Sequence, residues 1–407
     1  MFKKKISILV VVLFLLLVIV FAIPSLRLAI SWRAEKAVLY LQNVLDPPEA
    51  VPTALPFTPQ PSTTPFASPT VTETPLPETA TPSPTVEPLP TQVSLPSPRY
   101  EQQTPNNCGP ATLSMALHLY GWEGDQTDIS DAVKPVIPDR NVNPEELAYY
   151  VRNFAGWLNI GYRVGGDLST LKTLLAAGYP VIVESVTSLD PNDALGPNDD
   201  LWAAHYLLLT GYDDESQTFT IQDSYHGKDL TISYSQLEEE WEPFNNLYMV
   251  IYFPDSEAEL ANLLGAAWDV DANREQSLAN ARARTASNPD DAFAWFNLGS
   301  DLVYFEQYQD ASLAYDKARE LGLPLRMFRY QFGPFWAYFH AERIEDLQVL
   351  TEYALGITNM SEETWFWHGW ALYRQNDFEG AKAAWEKALK INPSPYADAY
   401  DALQYVQ

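Results

Sequence analysis

The 407-residue sequence has a single cysteine, Cys108, and few basic residues. One cysteine excludes an intrachain disulfide and any zinc or iron–sulfur site built from several cysteines. Lysine and arginine total 25 against 53 aspartate and glutamate, so the formal net charge is -28. Because phosphate binding requires a basic face, this charge argues against nucleic-acid binding. No GxxxxGK(S/T) pattern occurs, which excludes a P-loop nucleotide site.

The N-terminus carries a basic and strongly apolar segment. Three lysines at positions 3–5 precede an apolar run over residues 6–23. Eighteen residues of helix rise about 27 Å, roughly the thickness of the hydrocarbon core of a bilayer. We predict a single-pass transmembrane helix within a membrane anchor and juxtamembrane segment, residues 1–46. A cleaved signal peptide is the alternative, since Val20 and Ala22 are small residues that suit a cleavage site.

Residues 47–98 are rich in proline and threonine. They contain 16 prolines and 11 threonines in 52 residues. Proline has no amide hydrogen to donate and does not fit inside a helix, so we expect no packed core here. We predict a disordered, extended stalk that holds the following domains away from a cell membrane. Those domains should be extracytoplasmic, because N-terminal lysines favour a cytoplasmic N-terminus.

The segment after the stalk places Cys108 where a nucleophilic cysteine is expected. The residues at 105–107 predict a turn. Apolar residues then recur at helical spacing: Leu113, Ala116, Leu117 and Tyr120. Cys108 should therefore lie at a helix N-terminus, where unpaired N–H groups and the helix dipole favour a thiolate. Without such a context, a lone cysteine is more often a small buried hydrophobic residue.

Three other polar residues are predicted to lie near Cys108. Gln102 is six residues before it, close enough for its side-chain amide to reach the same reaction centre. His205 enters an apolar strand, and Asp223 ends the next one. Two adjacent antiparallel strands would bring His205 and Asp223 side by side. A single histidine is more often structural, but a Gln–Cys–His–Asp set in this order suits thiol catalysis.

Several motifs within residues 99–256 carry a family resemblance. They are QQTPNNCGPATLSMALHLYG, DLSTLKTLLAAGYPVIVES, HYLLLTGYD and IQDS. This region resembles the C39-like domain of the papain-like cysteine peptidases, which implies an α+β papain-like fold without a cofactor or metal. The resemblance also implies four roles: Cys108 as nucleophile, His205 as base, Asp223 as the acid that orients the base, and Gln102 as oxyanion donor. Gln103 replaces Gln102 if the loop register is shifted by one residue.

The expected activity is hydrolysis of a peptide bond in a peptide or protein substrate. Two alternatives remain open at this point. The domain could hold a peptide at the cell surface without cutting it. It could also be an amide hydrolase or transferase acting on cell-wall peptides, because thiol acyl chemistry does not identify the acyl donor.

A helical repeat is predicted over residues 257–407. Small residues recur at Gly299, Gly333 and Gly369, with spacings of 34 and 36 residues. A period near 34 that is built from helix pairs resembles the tetratricopeptide repeat. We therefore predict an all-α tetratricopeptide-like domain. Its concave groove would bind a protein partner, or the domain would be a structural cap packed on the peptidase.

A turn-rich loop precedes His205. It carries four aspartates: Asp190, Asp193, Asp199 and Asp200. Because the loop leads directly into His205, we expect it beside the active-site cleft, where its charge would favour cationic substrates. The alternative is a solvated loop without any preference.

The predicted topology is testable by protease treatment of intact cells. If residues 6–23 span the membrane with the domains outside, the protease should release a soluble fragment cut within residues 47–98. Mass spectrometry of the supernatant detects the released fragment. Retention of a fully protected chain would place the domains inside.

Overall fold

The computed structural model describes five ranges and scattered positions between 30 and 50. The ranges are 51–57, 88–136, 141–192, 199–393 and 399–406. The predicted membrane helix over residues 6–23 and the middle of the predicted stalk lie outside the described residues. Within the described parts, no helix combines the length and the apolar character needed to cross a membrane.

The first folded unit is a seven-stranded antiparallel sheet with helices on both faces. Its strands are β1 (Gln92–Ser94), β2 (Asn159–Arg163), β3 (Val181–Ser188), β4 (Trp202–Asp213), β5 (Thr218–Asp223), β6 (Gly227–Ser233) and β7 (Tyr248–Tyr252). The spatial order is β2-β7-β3-β4-β5-β6, and β1 pairs with the end of β4. Its helices are α1 (Cys108–His118), α2 (Gln126–Val133), α3 (Pro144–Phe154), α4 (Leu168–Ala176), α5 (Tyr234–Trp241) and α6 (Glu257–Leu264).

Strand β4 lies at the centre of this unit and is buried on both faces. Tyr206 and Leu208 pack into a cluster that includes residues of α1, α2 and α3. Leu207 and Leu209 pack into a second cluster with residues of α4, α5 and α6. Successive side chains of a strand point to opposite faces, so a continuous apolar run here fills two cores. This arrangement is the papain-like α+β domain expected from the sequence.

Strand β1 lies inside the segment that the composition predicted to be a stalk. Val93 pairs with Tyr212, and Ser94 pairs with Gly211. A Cβ atom on Gly211 would lie 2.4 Å from the carbonyl oxygen of Val93, so this approach requires glycine. The sheet therefore begins before residue 99. Prolines flank this three-residue strand without interrupting it, which is why a proline-rich segment can still contribute a short strand.

The other end of the predicted stalk also packs on a domain. Val51 is buried in the core of the helical repeats. The carbonyl oxygen of Pro52 accepts a hydrogen bond of 2.7 Å from Arg319 Nε. Composition could not predict these contacts, because each depends on a partner far away in the sequence.

The second unit is built from antiparallel helices. They are α7 (Val270–Ser287), α8 (Ala292–Tyr304), α9 (Tyr308–Leu321), α10 (Gly333–His340), α11 (Ile344–Ile357), α12 (Glu362–Arg374), α13 (Phe378–Ile391) and α14 (Ala399–Ala402). Helix α6 was predicted to belong to this unit, but its Leu260 packs into the core of the sheet. The helical repeats therefore start after α6.

The pairs α8/α9 and α12/α13 repeat the same packing. A Cβ atom on Gly299 would lie 2.7 Å from the ring of Tyr315, and one on Gly369 would lie 2.3 Å from the ring of Trp385. Glycine in the first helix of each pair thus lets an aromatic ring of the second helix approach its backbone. This close contact is the physical reason for glycine at positions 299 and 369. Gly333 differs, because it begins α10 and lies against the hydroxyl of Tyr315.

The helical repeats are docked on the peptidase-like unit next to the loop that precedes His205. Asp199 forms a buried ion pair with Arg326, with 2.6 Å between Oδ2 and Nε. Asp200 Oδ2 accepts a hydrogen bond of 2.7 Å from the backbone N–H of Leu325. These two carboxylates hold this end of the loop on the repeats, and its role in attracting a cationic substrate stays a prediction.

Candidate active site

Cys108 is the first residue of α1, and a polar network fixes the loop before it. Gln126 is buried, and its Oε1 atom accepts hydrogen bonds from Thr104 N at 2.7 Å and Asn107 Nδ2 at 2.8 Å. Gln126 Nε2 donates to the carbonyl oxygen of Gln102 at 2.8 Å. The sequence analysis missed Gln126, because a glutamine that begins a short helix carries no motif.

His205 and Asp223 lie side by side on neighbouring strands, as the sequence predicted. Asp223 pairs with Leu207, two residues after His205, so both side chains project from the same face. His205 Nε2 lies 2.8 Å from Asp223 Oδ1, and both residues are buried. In this arrangement the imidazole N–H donates to the carboxylate.

The thiol of Cys108 is hydrogen-bonded to the same imidazole. Because Nε2 is bonded to Asp223, Nδ1 is the ring nitrogen of His205 left to interact with the thiol. Burial opposes ionisation of the thiol, but the hydrogen bond and the charge of His205 outweigh it and lower the pKa of Cys108. The backbone N–H of Tyr206 and the charge of Lys134 lower this pKa further.

The pKa of His205 shifts in the opposite direction. Burial alone would lower it, but the hydrogen bonds to Asp223 and Cys108 raise the pKa of His205 to about 9. A lowered thiol pKa and a raised imidazole pKa favour the thiolate–imidazolium pair at neutral pH. This ion pair is the reactive form of a cysteine nucleophile.

Asp223 is kept ionised despite its burial. Its Oδ1 atom accepts hydrogen bonds from the backbone N–H groups of Tyr225 at 2.7 Å and His226 at 3.0 Å. Its Oδ2 atom lies 2.8 Å from His226 Nδ1. Burial raises the pKa of Asp223, but these bonds and the bond to His205 lower it below its usual range. His226 thus contacts the carboxylate and does not replace His205.

Gln102 and Gln103 differ in how their side chains are held. Gln102 is exposed, and its Nε2 atom donates to the carbonyl oxygen of Tyr225 at 2.9 Å. Gln103 is anchored to Ser224 through its backbone N–H and its Oε1 atom, at 2.9 Å each. Among the described residues, Gln103 Nε2 has no acceptor, so its donor remains available for a substrate.

Two cations lie close to the nucleophile, and the sequence analysis identified neither. Lys134 is buried, and its Nζ atom donates to the carbonyl oxygen of Asn106 at 2.6 Å. Arg329, from the helical repeats, reaches Asn106 Oδ1 at 3.5 Å. Burial lowers the pKa of Arg329, and the negative charge of Cys108 offsets part of this shift. The described residues hold no cluster of three or more His, Cys, Asp or Glu side chains that suits a metal ion.

Two family models match the chain. Residues 94–249 match the peptidase C39-like family, and residues 362–395 match the tetratricopeptide repeat. The chain therefore contains a peptidase C39-like domain followed by a tetratricopeptide repeat, which confirms the resemblance drawn from the motifs. No curated protein matches the chain.

Three solved structures resemble parts of the chain. A protein from Bacillus anthracis, assigned as a C39-like peptidase, is 17% identical with a TM-score of 0.31, covering 40% of this chain and 97% of its own. Xylellain, a cysteine protease from Xylella fastidiosa, is 17% identical with a TM-score of 0.32, covering 41% and 87%. The MamA RS-1 ArsTM double mutant is 14% identical with a TM-score of 0.28, covering 37% and 91%.

The ionisation of Cys108 can be measured directly, because it is the chain's one cysteine. A lowered thiol pKa means that the thiolate persists below the ordinary titration range of cysteine. We expect the iodoacetamide alkylation rate to titrate with a midpoint below that of free cysteine. His205→Gln removes the imidazolium, so the midpoint should rise and the rate at pH 6.5 should fall by about tenfold or more. His118→Gln, which changes a histidine further along α1, is the matched control and should leave the profile unchanged. A wild-type midpoint at or above that of free cysteine would contradict the ion pair.

Proposed function

We propose that this protein is a cysteine peptidase that cleaves peptide bonds through Cys108, His205 and Asp223. The observation that carries the proposal is the chain of contacts from the partly buried thiol to the buried imidazole and on to the buried carboxylate. Such a chain supplies a nucleophile, a proton carrier and a group that orients the carrier. Its position at the N-terminus of α1 adds the helix dipole, which favours a negative sulfur.

The proposed reaction uses each group in turn. The thiolate of Cys108 attacks the peptide carbonyl, and a tetrahedral oxyanion forms. His205 donates its Nδ1 proton to the departing amine, which leaves a thioester. Water then attacks the thioester as His205 takes up a proton from it. The acid product departs, and the thiolate–imidazolium pair is restored. Asp223 keeps the imidazole in place and stabilises its charged form throughout.

The oxyanion requires hydrogen-bond donors, and we propose two. The backbone N–H of Cys108 is in the first turn of α1, where no carbonyl of the helix can accept from it. We propose Gln103 as the second donor, because the amide of Gln102 is already bonded to Tyr225. Each such donor contributes about 3 kcal/mol to stabilisation of the transition state.

We also propose that the peptidase acts outside the cytoplasm, attached to the cell membrane by residues 6–23. The support is the apolar run behind three lysines. A role limited to binding is less well supported, because a binding surface needs no buried thiolate–imidazolium pair.

The function is tested by profiling the full chain on a diverse peptide library. Wild-type protein should cleave a subset of peptides, and Cys108→Ala should cleave none of them. The variant replaces one small side chain by another, so its thermal unfolding should be nearly unchanged. Cleavage that survives in Cys108→Ala, or a wild-type protein that cleaves no peptide, would contradict the proposal.

The two neighbouring glutamines give a matched pair for the oxyanion donor. Gln103→Ala should lower kcat by about 100-fold to 1000-fold with little change in KM, because the lost bond forms only in the transition state. Gln102→Ala should lower kcat far less. The opposite order would return the role to Gln102. Equal small effects would leave the backbone N–H of Cys108 as the main donor.

A further inference from the structure

A cavity of about 570 Å³ lies between the peptidase C39-like domain and the helical repeats. The peptidase side contributes residues of α3, β3 and the segment before β7, including Glu145, Glu184 and Leu247. The repeat side contributes aromatic residues: Tyr330, Phe332, Trp336, Phe366 and Trp367. A space of this size, with apolar walls and a few polar groups, has the character of a small-ligand or side-chain pocket.

The charged groups of this cavity are mostly acidic. Five carboxylates line it: Glu145, Glu146, Glu184, Glu362 and Glu363. Arg274 is the lining residue of opposite charge, and it is paired with the buried Asp301 at 3.3 Å. Among the described residues that line the cavity, carboxyl groups therefore outnumber basic groups five to one.

Glu184 differs from the carboxylates beside it. Glu363 accepts a hydrogen bond from Asn143 Nδ2 at 2.8 Å, and Glu145 accepts one from the Tyr162 hydroxyl at 3.1 Å. Glu184 is 4% exposed, yet it has neither a hydrogen-bond nor an ion-pair partner among the described residues. A buried carboxyl without a partner is costly. Burial raises the pKa of Glu184 well above its usual value, so a cation in the cavity would supply a counterion that none of the described residues provides.

Glu184 also connects the cavity to the nucleophile. It pairs with Tyr206 on β4, and the next residue of β3, Ser185, pairs with His205. The charge of Cys108 raises the pKa of Glu184 further. A substrate side chain that occupies the cavity would thus be near a carbonyl held at the sulfur.

We propose that the cavity binds an arginine or lysine side chain of the substrate and that Glu184 selects for its positive charge. This assignment rests on the proposed peptidase function. The guanidinium or ammonium group would pair with the Glu184 carboxylate in a site shielded from water. The aliphatic stem would pack on the aromatic residues contributed by the repeats. The helical repeats would then form one wall of a specificity pocket.

The first test compares matched peptides that carry either arginine or citrulline at the same position. The two residues have nearly the same shape but differ in charge. One such pair of peptides is made for each position flanking the cleaved bond. At one position the full-length wild-type chain should prefer arginine in kcat/KM by about tenfold or more. Glu184→Gln should bring that ratio close to one. It should lower kcat/KM for the arginine peptide and leave kcat/KM for the citrulline peptide unchanged. Glu184→Met, of similar volume, repeats the test if the amide variant folds poorly.

The matched control is Glu239→Gln, which removes one charge from an exposed position of the same domain. It should leave the arginine-to-citrulline ratio unchanged. An equal loss in Glu239→Gln and Glu184→Gln would assign the preference to the overall negative charge and overturn the pocket. An arginine-to-citrulline ratio that stays the same in Glu184→Gln would overturn it as well.

A second test does not depend on hydrolysis, so it separates failure of the pocket from failure of the peptidase proposal. Cationic trimethylammonium-ethyl methanethiosulfonate and neutral methyl methanethiosulfonate both form a mixed disulfide with Cys108 and release a sulfinate. The cationic reagent should react faster relative to the neutral one in wild type than in Glu184→Gln, by about tenfold. If no peptide is cut but this difference is present, the pocket stands and the peptidase proposal fails. If the reagent ratio is the same in the two proteins, the cation site is absent.

Discussion

The carboxylate of Asp223 carries a negative charge in a buried part of the domain, where an unpaired charge would cost several kcal/mol. Its cost is offset by hydrogen bonds from two backbone N–H groups and from two histidines. Because the carboxylate stays ionised, it raises the pKa of His205, and the protonated imidazole lowers the pKa of Cys108. The ionisation of the Cys108 thiol therefore depends on Asp223, which acts on it through His205.

The same chain of contacts depends on the sheet. Asp223 reaches His205 only because β4 and β5 pair in a register that puts Asp223 opposite Leu207. A shift of one residue would turn one of the two side chains to the other face. The apolar residues of β4 resist such a shift, since they fill separate cores on the two faces of the sheet. Core packing and catalytic geometry are thus fixed by one register.

The helical repeats pack on the peptidase C39-like domain and contact residues near Cys108 and His205. Arg326 holds the loop before His205 through Asp199, and Arg329 comes within reach of Asn106 beside the nucleophile. Aromatic residues of the repeats close one side of the cavity that contains Glu184. Two roles were considered for the repeats: a groove that binds a protein partner and a structural cap packed on the peptidase. These contacts are those of a cap. The same surface also lines part of the cavity that contains Glu184.

The sequence by itself determined the two fold classes and the set of residues around Cys108. Those predictions rest on local signals: a turn before an apolar helix, a histidine and an aspartate on adjacent strands, and glycines at a helical-repeat spacing. The sequence did not predict β1, the contacts of Val51, the roles of Lys134 and Arg329, or the cavity at Glu184. It assigned the oxyanion role to Gln102 and kept the neighbouring Gln103 as the fallback. Each of these features depends on partners distant in the chain, and composition and periodicity do not record which distant residues meet. Only the folded chain brings Glu184 beside the repeats, in a cavity where no described residue pairs with its carboxyl.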